Sequence, residues 1–434
     1  MRLTIINQFY TPDISPTAHL SASLAEHRAG LGDEVTVIAS RGGYVAKGDA
    51  TDRRQGRVRV HRVWTPRAGK GSIFKRLLDY GAFYVGAAWR AVRLPRQDVV
   101  VCLTTPPFIV LTGLLHRVLH RRVKLVLWNM DCYPEVAERT GVIKPGGVLA
   151  SVQRWLHRRV FKRLDHLLVL DPAMGELLAP YFPGGKAPAG GVTEVPNWER
   201  GDLFPTGATH AVHPLIEDLG LGGRFVVLYL GNAGYGHRFD TVIEAAARYQ
   251  ASGEAVSFLF VGGGRRIAEL EAAKAEQGLE NVVLEGYIPK EQTPSLMATV
   301  LGSAGQPTDS IRGLRAGAGR AGGGCALITL SDESLGVMSP SKLHAHLGMG
   351  MPVLYVGPGG SNVDMAVERY GCGVSLRHGD VEGLMAFVDR LRGDAAERAA
   401  RAAAARGAFE SAYQDGVTLP RIDAVLEELL AVRA

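Results

Sequence analysis

Short apolar runs recur along this chain of 434 residues. Most are followed by a longer stretch in which apolar residues return every three or four positions. The runs Leu3–Ile6, Val35–Ala39, Val58–Val63, Val99–Leu103, Leu125–Trp128 and Leu167–Leu170 read as strands. Most lack strict polar alternation, as expected of strands buried on both faces of a parallel sheet. Residues 197–223 then lapse into a connector rich in Gly, Pro and His, and the rhythm restarts. Phe225–Leu230, Ser257–Val261, Val282–Leu284, Ala326–Leu330, Val353–Val356 and Gly373–Leu376 form the second set. Strands alternating with helical patterns predict βαβ units. The expected class is α/β, with two Rossmann-like doubly wound domains in tandem. Ligand would bind at the carboxyl ends of the strands, in a cleft the two domains face.

The pattern places the first domain at 1–200, a linker at 201–223 and the second domain at 224–415. A helical tail at 416–434 is expected to pack back on the first domain. Val300–Gly324 breaks the rhythm: it is rich in Gly, Ala and Arg and has no hydrophobic period. It reads as an insertion across 300–325, because a compact domain rarely needs so long a structureless loop. A frameshifted segment would leave the same composition.

Composition narrows the class. No apolar run is long enough to span a bilayer, since Thr104-Thr-Pro-Pro107 interrupts the best candidate. The opening MRLTIINQFY reads as a strand and not as a signal peptide. Four cysteines, widely spaced and without a CxxC, argue against a zinc site or disulfide framework and for a reducing cytoplasm. Charge is uneven: residues 1–200 carry 29 Lys and Arg against 16 Asp and Glu, and the remainder 20 against 27. A basic half points to an anionic partner. Its cations fall on helical segments at Ser72–Arg93, Leu111–Arg122 and Ser151–Arg163. In the last, Val152, Trp155, Leu156 and Val160 are expected on one apolar side, which suits either a membrane-surface helix or an ordinary core helix. No motif supports nucleic acid as the partner.

The segment Gly231-Asn-Ala-Gly-Tyr-Gly-His-Arg238 follows a predicted strand and precedes a predicted helix. Backbone N–H groups at such a turn, with the helix dipole, favour an anion, although glycines there can also serve steric needs alone. Pro340 suits the first turn of a helix, which places Ser341 and Lys342 beside it. A lysine opposes the dipole there unless an anion is near. Asp131 and Glu135 bracket Pro134 after a strand, where a carboxylate can take a hydroxyl proton or cap the next turn. Thr17, Ala18 and His19 begin a helix after the loop at Pro12–Pro16.

These segments, in order, resemble a family 4 glycosyltransferase of the GT-B fold, in its bacterial cell-surface polysaccharide branch. Asn7-Gln-Phe-Tyr-Thr-Pro12, Thr17-Ala18 and Gly32-Asp-Glu-Val35 resemble the family's opening strand, loop and helix. Asp131-Cys-Tyr-Pro-Glu135 resembles its D-x-x-P-E loop, and Val195-Pro-Asn-Trp198 its P-N-W segment. Gly231-Asn232 through His237-x-Phe-Asp-Thr241 resembles the first loop of the donor domain, and Phe260-Val-Gly-Gly-Gly264 the second. Ser339-Pro-Ser-Lys-Leu343 with Gly350-Met-Pro-Val353 resembles the donor-phosphate helix and the strand after it.

The resemblance implies a retaining transferase that moves a sugar from a nucleotide sugar to a cell-surface glycan or a polyprenyl-linked acceptor. Gly231, Asn232, Gly234, Gly263, Tyr287, Ile288, Ser341 and Lys342 would bind the donor. His237, Lys342 and Asp131 would be catalytic, with His237 read as a basic group near the leaving diphosphate. Thr17, His19, Asp131 and Glu135 would meet the acceptor. No D-x-D motif appears, so no metal is expected and no cofactor beyond the nucleotide sugar. The enzyme would be cytoplasmic, in peripheral contact with an anionic inner membrane face. One departure stands out: Ala345 and Val337 occupy the positions where many members carry a pair of glutamates, the later one on ribose. A nucleotide-sugar 2-epimerase of similar architecture and a non-catalytic nucleotide-sugar binder are the alternatives.

Overall fold

The computed structural model describes residues 1–13, 15–41, 53–66, 73–185, 191–205, 210–302 and 322–431. Most of the Gly-rich segment expected at 300–325 lies outside the described residues. The chain divides into two compact units. The first comprises Met1–Asn197, Gly336–Met338 and Thr418–Ala434; the second comprises Trp198–Leu335 and Ser339–Val417.

The first unit holds an eight-stranded sheet. Its strands are β1 (Arg2–Ile6), β2 (Glu34–Ser40), β3 (Arg53–Gln55), β4 (Val58–Val63), β5 (Val99–Cys102), β6 (Lys124–Trp128), β7 (His166–Val169) and β8 (Val192–Glu194). Their order is β3-β4-β2-β1-β5-β6-β7-β8, parallel except for β3. Helices cover both faces, which is why β1, β5, β6 and β7 are almost wholly buried. Helix α1 (Pro16–Gly30) starts cleanly because Ser15 accepts from the Ala18 amide at 3.1 Å and Pro16 has no N–H to leave unpaired. The other helices that matter here are α2 (Ile73–Arg93), α3 (Val110–Leu119), α4 (Glu135–Arg139), α5 (Val148–Phe161) and α6 (Pro172–Leu178).

The second unit begins at Trp198, and the stretch expected as a linker belongs to it: residues 201–223 contain the 3-10 turn Gly201–Leu203 and helix α7 (Leu215–Asp218), with Ile216 fully buried. Its sheet comprises β9 (Phe225–Asn232), β10 (Val256–Gly263), β11 (Val282–Glu285), β12 (Gly324–Thr329), β13 (Val353–Val356) and β14 (Gly373–Leu376). The order is β11-β10-β9-β12-β13-β14, parallel throughout. Helices α8 (Asp240–Ser252), α9 (Ile267–Gln277), α10 (Thr293–Leu301), α11 (Lys342–Gly348), α12 (Asn362–Tyr370), α13 (Val381–Gly393) and α14 (Ala395–Ala408) complete it. Tyr229, Phe239, Tyr249, Phe258 and Phe260 anchor the core beneath α8.

Both sheets reverse direction at their first strand, between β1 and β5 and between β9 and β12. That is the switch point where open α/β sheets hold ligands. The last helix, α15 (Asp415–Ala431), returns to the first unit, where Asp423 meets Arg28 at 2.9 Å and His27 at 2.6 Å.

Candidate functional site

In the second unit, β9 and β10 run in register to their carboxyl ends, pairing Gly231 with Gly262 and Asn232 with Gly263. The pairing demands glycine. A Cβ on Gly262 (φ 143°) would lie 2.1 Å from the Gly231 carbonyl oxygen, and one on Gly264 (φ 127°) 2.4 Å from that of Ala233. A Cβ on Gly263 would strike the Tyr287 ring at 2.7 Å. Tyr287 is exposed, and its hydroxyl donates to Asn232 Oδ1 at 3.4 Å. Asn232, Gly263 and Tyr287 therefore form one wall at the switch point, with half-buried Ile288 next along the chain.

Lys342 opens α11 and reaches over the end of β9. Its Nζ donates to the Tyr229 hydroxyl at 2.5 Å and to the Asn232 carbonyl at 3.5 Å. It sits 3.7 Å from the centre of the Tyr229 ring. His237 Nε2 lies 3.5 Å away. The residues the sequence singled out from positions more than a hundred apart are thus neighbours.

The expectation that His237 contributes positive charge is corrected. The ring is buried, and its Nδ1–H donates to the Thr329 carbonyl at 2.7 Å, where β12 ends. Burial, then the charge of Lys342, pushes its pKa down to about 3. A neutral ring with its proton on Nδ1 offers the Nε2 lone pair to Lys342. The basic group over this turn is Lys342, and burial lowers its pKa well below the ordinary lysine value. Arg238, beside His237, is turned to Asp240 at 2.7 Å.

The expected first helical turn around Ser341 is also corrected. The helix begins one residue later and is only seven residues long; Ser341 caps it in α conformation, exposed, without a side-chain hydrogen bond. Behind it, His344 and His346 are buried, with pKa values lowered to about 4 and about 3. Tyr229, Thr329 and His346 were not singled out by the sequence. The signal was faint: one hydroxyl in the apolar run FVVLYL, and one threonine closing a buried strand.

In the first unit the loops after β1, β5 and β6 meet at the carboxyl edge. The Gln8 amide donates to the Thr105 carbonyl at 2.8 Å, and the Met130 and Asp131 amides each donate to Thr104 Oγ1 at 3.2 Å. Asp131 is half-buried, and desolvation raises its pKa to about 6. Glu135 is occupied: it accepts from the Tyr181 hydroxyl at 2.5 Å and lies 3.9 Å from Arg154. Thr17 Oγ1 lies 3.3 Å from Ser15 Oγ, and His19 is exposed on the first turn of α1. These residues share the edge; the hydroxyl of Thr104, which ties two loops together, was missed by sequence reasoning.

Two Rossmann-like units, the second with a lysine over the glycine-lined end of its first strand, have the architecture of the GT-B glycosyltransferases. Residues 18–198 match the model of the glycosyl transferase 4-like domain. It is 22% identical over 370 residues to WbjE of Pseudomonas aeruginosa, named as a probable glycosyltransferase, covering 84% of either chain. It is 23% identical over 403 residues to WcaI of Escherichia coli K12, named as a colanic acid biosynthesis glycosyl transferase, covering 89% of this chain and 91% of that one. Among solved structures, Anabaena HepE in complex with UDP superposes with a TM-score of 0.65 at 15% identity, over 99% of this chain and 100% of that chain. That likeness establishes the fold.

Proposed function

We propose that the enzyme transfers a sugar, with retention of anomeric configuration, from a nucleoside diphosphate sugar to a hydroxyl of a cell-surface glycan or a polyprenyl-linked acceptor. The observation that carries this reading is the Lys342 ammonium beside His237 and Asn232, above the glycine-lined ends of β9 and β10. The structure of HepE has also been solved with UDP-glucose, which supports a donor of that chemical class here.

The donor diphosphate binds over Gly231, Gly234 and Lys342, with Ser341 Oγ as a further donor and Tyr287 and Ile288 beside the base. As the bond from anomeric carbon to phosphate oxygen breaks, the departing diphosphate gains charge, and Lys342 meets it. Neutral His237 orients the ammonium through Nε2. The acceptor oxygen forms the new bond to the anomeric carbon. Its proton passes to the departing phosphate or to Asp131, which is mostly ionised at neutral pH with a pKa near 6. Thr17 and His19 bind the acceptor, while Glu135, held by the Tyr181 hydroxyl, supports the loop. Lysine and backbone N–H groups carry the charge role without a metal. Among the described residues no helix is long and apolar enough to cross a membrane; we place the enzyme on the cytoplasmic side, in peripheral contact with anionic lipid.

The test is a thermal-shift screen of nucleotide sugars, followed by incubation of the best ligand with lipid-linked and soluble acceptors. A ligand that binds the folded state raises the melting temperature. Failure of every nucleoside diphosphate sugar to do so contradicts the proposal. Binding without turnover on any acceptor supports the second reading, a nucleotide-sugar binder, which apolar Ala345 at the family's glutamate position favours.

A further inference from the structure

Helices α2, α3 and α5 carry large apolar side chains on their water side. Val85 is 74% exposed, Val118 71%, Val148 83%, Trp89 56% and Trp155 53%. The inward sides are apolar too, with Phe83 and Ala87 on α2 and Val160 and Phe161 on α5 buried. This corrects the single apolar side expected for α5: Val160 turns into the core, while Val152 and Trp155 face water. A helix apolar on both sides needs a second apolar neighbour.

Three observations make this one face. The crossovers β4-α2-β5, β5-α3-β6 and β6-α5-β7 all step the same way along the sheet, so their right-handed turns put the three helices on one side of it. Helix α3 packs against both α2 and α5. The face is also strongly basic: residues 73–96, 110–124 and 148–163 contain 14 Lys and Arg and a single acid, Asp79, which is buried. Arg117 and Lys124 pair with Asp165, and Arg154 with Glu138, leaving an excess that includes exposed Arg121, Arg122, Arg158 and Lys162. Arginines stack on both exposed indoles, Arg93 at 3.7 Å from Trp89 and Arg159 at 4.7 Å from Trp155.

A second copy of the chain does not suit this face, because a two-fold interface would set cations against cations. An anionic bilayer surface meets both needs: acyl chains take the valines and indoles, and headgroups take the guanidinium groups. We infer that the outer face of α2, α3 and α5 is where the enzyme docks on anionic lipid. The inference deepens the membrane contact proposed above and rests on it, naming the surface that makes it.

The experiment is cosedimentation of the full-length chain with phosphatidylcholine vesicles, with and without phosphatidylglycerol, at low and high salt. Nucleoside diphosphate is added in a parallel melting assay. The expected result is binding to the anionic vesicles alone, weakened by salt. Arg121→Glu, Arg122→Glu and Arg158→Glu together weaken it on the order of a hundredfold. Trp89→Ala with Trp155→Ala weakens it as well, and both variants keep the nucleotide-induced rise in melting temperature. The inference is overturned if the wild-type chain ignores anionic vesicles, if neither variant changes binding, or if the face proves to hold a concentration-dependent oligomer that the same substitutions dissolve. Loss of the nucleotide effect with vesicle binding intact would count against the donor site instead.

Discussion

At the residue scale the site turns on Lys342. Its ammonium is held where burial disfavours charge, so a bound diphosphate should return the proton that burial expels. Nucleotide binding is therefore predicted to take up protons above the depressed pKa of Lys342 and none well below it, read from calorimetric heats in buffers of different ionisation enthalpy. Lys342→Met should weaken nucleoside diphosphate binding by about 2–3 kcal/mol, roughly 30- to 150-fold. The same substitution should leave stability unchanged or raise it, since it removes a desolvated cation. Tyr229 keeps a partner, its hydroxyl donating to the Asn232 carbonyl at 2.9 Å. Loss of binding with a maintained melting temperature separates a ligand-binding lysine from a structural one.

At the element scale, the paired ends of β9 and β10 hold the wall of the site. Gly262→Ala forces a side chain toward the Gly231 carbonyl at a backbone angle that L-residues avoid, and is expected to cost about 2–4 kcal/mol in urea unfolding. Gly234→Ala meets only the Asn232 side chain, at 3.0 Å, and should be tolerated far better. The return of α15 rests on Arg28, buried between Asp33 and Asp423. Arg28→Met leaves Asp33 its ion pair with the Met1 ammonium at 2.5 Å and Asp423 its contact with His27, and is predicted to lower stability by about 1–3 kcal/mol.

The elements were legible to different degrees, for physical reasons. Of the fourteen strands among the described residues, twelve carry an apolar run that could be read directly, most of them because a strand buried on both faces must be apolar. The two others, β3 (RRQ) and β8 (VTE), are short edge strands defined by their partners and not by their own side chains. His237 and Lys342 stood out as charge or potential charge in turn segments. Tyr229 did not, because an aromatic in an apolar strand is ordinary core. The meeting of Lys342, Tyr229 and His237 depends on sheet order, which puts β12 beside β9, and no local spacing encodes that.

At the scale of the whole molecule, buried imidazoles shape the pH response. His157, His237, His344 and His346 have pKa values lowered from 6.5 to about 4, 3, 4 and 3. In the window between those values and 6.5 the unfolded chain binds more protons than the folded one, so stability falls as pH falls through it. Asp131 and Asp171, raised from 3.8 to about 6, act in the opposite sense: the folded chain binds their protons more tightly, which favours it at low pH and offsets part of the loss. Melting temperature should decline below pH 6.5, and His346→Phe should flatten the decline. An unchanged slope in that variant would contradict the assignment.

Calorimetric titration of a nucleoside diphosphate sugar into the wild-type chain and the Lys342→Met variant bears most directly on the donor site. Saturable binding by the wild type, weakened roughly 30- to 150-fold in a variant that still melts cooperatively at the same temperature or higher, is the predicted result. Equal binding by both chains would show that the diphosphate lies elsewhere than over the ends of β9 and β10.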